Sequence, residues 1–165
     1  VELLAGIRRL LPMELERPEM QLLFQRVLGQ VLFYPPNVAG WPGGKNWIDS
    51  SALMCRMRLP QILTNADEFL IKPKNDDDVM MGNEGVDKRS KASKLNVTVD
   101  WNPVVKVFIK TDRDNLMQKV NGIVLQTKNS INPGVLKRYV DGTSREGFIK
   151  SSIVELMSTP EYQLC

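Results

Sequence analysis

The run Met20-Gln21-Leu22-Leu23-Phe24-Gln25-Arg26-Val27-Leu28-Gly29-Gln30-Val31-Leu32 leads directly into Phe33-Tyr34-Pro35-Pro36-Asn37-Val38-Ala39-Gly40-Trp41-Pro42-Gly43-Gly44-Lys45-Asn46-Trp47-Ile48. In the first half, Met20, Leu23, Phe24, Val27, Leu28, Val31 and Leu32 recur at helical spacing, the stripe of a helix with one buried face. Pro18 suits the first turn of such a helix, and Glu19 suits its N-terminal dipole. The periodicity predicts a helix that continues to Leu32. Pro35-Pro36 cannot continue it, because proline has no amide proton and clashes with the preceding turn. Tyr34, preceding a proline, is pushed towards extended geometry.

The second half is a connector of rigid and permissive residues beside large aromatics. It holds two of the three tryptophans, three of the ten prolines and three of the eleven glycines. Pro42-Gly43 signals a turn, and Gly44 adds a second permissive position. Asn37 and Asn46 have side chains suited to bonding nearby backbone. One reading is an ordered connector pinned into the core by Trp41 and Trp47; Trp41→Ala would then cost roughly 3–5 kcal/mol. The other is a binding loop in which a tryptophan face and glycine amides line a cleft.

Outward from this stretch the chain reads as mainly α. Leu3, Leu4, Ile7, Leu10 and Leu11 form a first helical stripe, ended by Pro12. After the connector, Asp49, Ser50 and Ser51 are N-cap candidates for a helix with Leu53, Met54 and Met57 on its apolar face, ended or kinked by Pro60, with a short helical piece continuing through Ile62 and Leu63. Arg56 lies near that face and is expected to pair with a carboxylate or to snorkel. From about 72 to 94 apolar residues thin out and charge comes in blocks, which reads as a mobile insertion. Asp76, Asp78 and Gly82 superficially fit a calcium loop, but Met80 and Met81 occupy positions that need a ligand and the turn glycine.

Leu95, Val97, Val99 and Trp101 alternate with polar residues and predict a short strand, which needs a partner. Four helical stretches follow. Asn102-Pro103 opens the first, with Val104, Val107 and Phe108. Thr111 or Asp112 caps the next, with Leu116, Met117, Val120, Ile123 and Val124. Asn132-Pro133 opens the third, which Gly142 stops. Thr143-Ser144-Arg145-Glu146 reads as a capping box ahead of the last, with Phe148, Ile149, Ile153, Leu156 and Met157. Thr159 then caps a turn begun by Pro160. The fold class is mainly α: an irregular multi-helix domain with a long Pro/Gly/Trp connector and at most one short strand pair, in one domain over 1–165.

Composition narrows function by exclusion. At 165 residues the chain can bury a real core. A net charge of +3 without a clustered basic face does not point to nucleic acid. No apolar run reaches the ~20 residues that span a bilayer. The chain has no histidine, which removes Ser-His-Asp and Cys-His catalysis and histidine metal sites. Cys55, between methionines, reads as a small hydrophobe, and Cys165 is the last residue. No metal or cofactor signature appears.

The run from Tyr34 to Ile48, with Leu28-Gly29-Gln30 before it and Ser50-Ser51-Ala52-Leu53 and Arg56 after it, resembles the bacterial family catalogued as domain of unknown function 1800. The ending from Ile153 to Leu164 is similar to how members of that family end. The resemblance implies the C-terminal part of a longer protein, whose N-terminal half carries a histidine-containing motif. The opening at Val1 directly into a helix fits such a piece. The resemblance also implies export or the cell envelope for many members, and brings no established activity.

Three functions follow. The first is a non-catalytic structural or interaction segment of a larger helical protein, whose partner is the N-terminal half of its own chain or another protein. The second is a glycan-binding module, with Trp41 and Trp47 as stacking faces, Gly43 and Gly44 allowing close approach, and Asn37, Lys45, Asn46 and Asp49 as hydrogen-bonding groups. The third is part of an enzyme site completed elsewhere, to which Lys45, Asp49 or Arg56 contribute.

Overall fold

The computed structural model describes residues 2–43, 48–64, 96–125 and 130–163. The expected insertion at 72–94, the calcium-loop test and Cys165 lie outside the described residues. The described elements run α1 (Glu2–Leu10), β1 (Met13–Leu15), α2 (Met20–Val27), α3 (Ser50–Leu63), β2 (Val97–Val99), α4 (Asn102–Phe108), α5 (Arg113–Val124), α6 (Pro133–Tyr139), α7 (Arg145–Met157) and α8 (Pro160–Gln163). The fold is mainly α, as the periodicities predict, with one two-stranded antiparallel sheet.

The architecture centres on α7, which packs against α3, α4, α5, α6 and α8. Its sequence explains this. Ile149, Ile153, Val154, Leu156 and Met157 are buried together with Ser152. A helix apolar on most sides is stable only when surrounded. Ser144 caps its start by accepting the Gly147 amide at 2.9 Å. The cap is therefore Ser144 rather than Thr143, and Glu146 pairs with Lys150 at 2.6 Å instead of closing a capping box. Arg145 reaches back to the Phe108 carbonyl at 2.7 Å and to the Thr111 carbonyl, tying α7 to the end of α4. Asp112 caps α5, and Asn132 caps α6 through the Gly134 amide.

The predicted strand finds its partner just after α1. Met13 faces Val99 and Leu15 faces Val97, with Met13 and Val97 buried and Glu14 and Thr98 exposed between them. Bonds from the Asp100 amide to Pro12 and from the Glu16 amide to Asn96 extend the ribbon at both ends. The spacing after Pro12 is too short to announce β1, since three residues carry little alternation.

Two helices depart from the reading. The helix α2 ends at Val27, because Gly29 takes φ 80°. The Gly29 amide bonds Arg26 and the Gln30 amide bonds Gln25. This pair is a Schellman stop, which terminates a helix even where the apolar stripe continues. Val31 and Leu32 thus lie beyond it. In α3 the buried residues are Ala52, Arg56, Leu59, Pro60, Ile62 and Leu63. Leu53 and Met54 are exposed and Met57 is half-buried, so the predicted apolar face is turned outward. The helix also runs through Pro60 to Leu63.

Candidate functional site

The connector is built from two successive turns. The Tyr34 amide bonds the Val31 carbonyl at 3.0 Å, closing a turn in which Phe33 holds φ 63°. A positive φ at a bulky L-residue is sterically costly and persists only where neighbours fix it. Here the Gln25 side chain on α2 accepts the Leu32 amide at 2.9 Å. After Pro35-Pro36, Asn37 accepts the Ala39 amide at 2.9 Å with its side chain and the Gly40 amide at 3.0 Å with its carbonyl. Gly40 takes φ 90°, a conformation that glycine adopts without strain.

These turns present apolar side chains to solvent. Residues 32–39 are all exposed. Phe33 is 89% exposed, Tyr34 64% and Val38 109%. Residues 32–39 are therefore not packed into the core, and Trp47 lies outside the described residues. Trp41 is half-buried, so a cost of 3–5 kcal/mol for Trp41→Ala no longer applies. Among the described residues, Trp101 packs against the core, with the Lys150 ammonium 5.7 Å from its ring centre.

The residues proposed from sequence do not converge on one point among the described residues. Asn37 holds its own turn. Gly43 is exposed, with open space around it. Asp49 caps α3, accepting the Ala52 amide at 2.6 Å and the Ser51 hydroxyl at 2.7 Å. Gly44, Lys45, Asn46 and Trp47 lie outside the described residues. Arg56 points inward and donates to the Gln163 carbonyl at 3.4 Å, fastening α8 to α3. Its environment reflects this. Burial lowers the Arg56 pKa, and the neighbouring Cys55 opposes the shift. Burial likewise raises the Cys55 thiol, with Arg58 and Arg56 acting in the other direction.

A polar layer continues along α7 and α8. Burial pushes the Glu155 carboxyl above the usual carboxylate range, and a hydrogen bond with Gln61 on α3 acts against it. Gln163 donates to the Met157 carbonyl at 2.8 Å. Ser130 bonds Glu161, which pulls that carboxyl down. These groups join helices. Among the described residues no three histidine, cysteine, aspartate or glutamate side chains gather as a metal site.

The feature missed by sequence reading is the exposed apolar ledge of Leu32, Phe33, Tyr34 and Val38. Its signal was Gly29. A glycine inside an apolar stripe marks the C-cap, which releases the residues after it from the helix.

The family described as "Protein of unknown function (DUF1800)" matches residues 1–164. The chain belongs to this family. No curated protein and no solved structure matches it. The match spans both the turn-built connector and the α7–α8 end of this DUF1800 chain. Among the described residues of this DUF1800 chain, no helix is long and apolar enough to cross a membrane.

Proposed function

We propose that this chain is the C-terminal part of a longer bacterial protein of the DUF1800 family and serves as a non-catalytic interaction segment. The helices gathered on α7 form its rigid body, and the connector is its docking element. One observation carries the reading. An apolar ledge is exposed while its backbone is fixed by hydrogen bonds and holds a costly positive φ at Phe33. A solvated linker has no use for such fixing, whereas a docking element gains from arriving in its bound shape.

The glycan and enzyme readings draw less support. The acceptors of Asn37 and Asp49 are engaged with local backbone, and Arg56 faces the Gln163 carbonyl. The family resemblance suggests the N-terminal remainder of a longer member as one protein partner. The test is calorimetric titration of this chain with that remainder, expressed separately. Saturable binding that Leu32→Ser and Phe33→Ser weaken without lowering Tm supports the reading. Binding that these changes leave untouched refutes the assignment to the connector.

A further inference from the structure

We propose that the ledge of residues 32–38 is a self-association surface that takes a second copy of this chain. The inference rests on the interaction reading above and names its occupant. From Val27 to Gly44 there is no charged side chain, in a chain that is 25% charged with a net charge of +3. A surface without charge meets its own copy across a two-fold axis without opposing like charges.

The area is sufficient. An aromatic side chain contributes roughly 150–250 Å². Leu32, Phe33, Tyr34 and Val38, exposed by 48%, 89%, 64% and 109%, are all available for burial. They offer on the order of 500 Å² per copy, so a symmetric pair buries about 1,000 Å², the lower bound for a specific interface. A two-fold pair needs a patch that complements itself, and this is the commonest closed assembly. The projecting Phe33 beside the stiff Pro35-Pro36 shelf supplies a knob and a platform on the same short stretch. The hydrogen-bonded turns leave little backbone to order on docking. Lipid is the poorer occupant. A fluid surface does not require a fixed turn, and the described part of the ledge carries no cation to attract anionic headgroups.

The experiment is sedimentation equilibrium of the whole chain over a concentration series, at low and high salt, with Phe33→Ser/Val38→Ser and Val38→Lys alongside. The expected result is a monomer–dimer equilibrium with little salt dependence. The double variant should weaken it at least about 30-fold, the loss of one interface hot spot. Val38→Lys should weaken it most at low salt, because paired cations then face each other. A dimer indifferent to both variants, or open-ended association, overturns the proposal.

A monomer at every concentration also overturns it. If that monomer still binds the separately expressed remainder of a longer family member, and Phe33→Ser abolishes the binding, the docking reading survives with another occupant. Flotation with phosphatidylcholine vesicles that Phe33→Ser abolishes would assign the ledge to lipid instead.

Discussion

Phe33→Gly should stabilise the chain, although it deletes a large aromatic. The side chain is 89% exposed, so little packing is lost. The backbone sits at φ 63°. An L-residue there costs about 1–2 kcal/mol relative to its preferred regions, and glycine does not carry that cost. Against this, glycine loses more chain entropy on folding, roughly 0.5–1 kcal/mol. The balance is a gain of about 0.5–1 kcal/mol, or about 1–4 °C in Tm for a chain of this size. Phe24→Ala provides the contrast. That ring is 1% exposed, and its loss should cost about 3–5 kcal/mol. The assay is urea or thermal unfolding followed by circular dichroism, at concentrations where the chain is monomeric. A destabilisation above about 1 kcal/mol in Phe33→Gly would refute the reasoning, because it would mean that the ring is packed or the turn is not left-handed.

Other expectations follow from the same structure. Ser144→Ala removes the cap of the central helix and should lower stability by about 1 kcal/mol in denaturant unfolding, whereas Thr143→Ala should cost less. Arg56→Ala removes a charged donor from the α3–α8 junction and should cost about 1–3 kcal/mol, with amide exchange near Gln163 rising first. The folded-state pKa of Glu155 is raised, so its contribution to stability is full below its unfolded value and is lost as pH rises through the folded value. Glu155→Gln should therefore flatten the decline of stability from acid to neutral pH, and a parallel curve in the variant would count against a half-buried carboxyl.

Fold class was legible because periodicity and cap residues are local signals. The Asn132-Pro133 start and the apolar run of α7 appear where the sequence places them, while the α2 stripe expected to reach Leu32 forms a helix only to Val27. Three features were not legible, each because a tertiary choice overrode a local one. In α3, Arg56 took the inward position that Leu53 and Met54 would fill on hydrophobicity alone, because the Gln163 carbonyl of a distant helix receives it. The strand β1 exists because β2 lies across from it, eighty residues away by the Asn96–Glu16 pairing that flanks the ribbon. The connector's aromatics suggested burial, since aromatics most often pack, yet among the described residues nothing from the rest of the fold covers Phe33 and Tyr34 once the Gly29 stop and the Phe33 turn release them from α2. Of the candidate site residues, Gly44, Lys45, Asn46 and Trp47 lie outside the described residues, and the others do not gather at one point. Asn37 and Asp49 are engaged with local backbone, while the side chains exposed at 32–34 and 38 are Leu32, Phe33, Tyr34 and Val38.

A docking element must face outward, as residues 32–39 of the connector do. Hydroxyl-radical footprinting of the monomeric chain, read residue by residue in a mass spectrometer, tests it most directly. Phe33 and Tyr34 should oxidise nearly as fast as in a free peptide, while Phe24 and Phe108 should be strongly protected. Protection of Phe33 equal to that of Phe24 would place the connector in the core and contradict the claim.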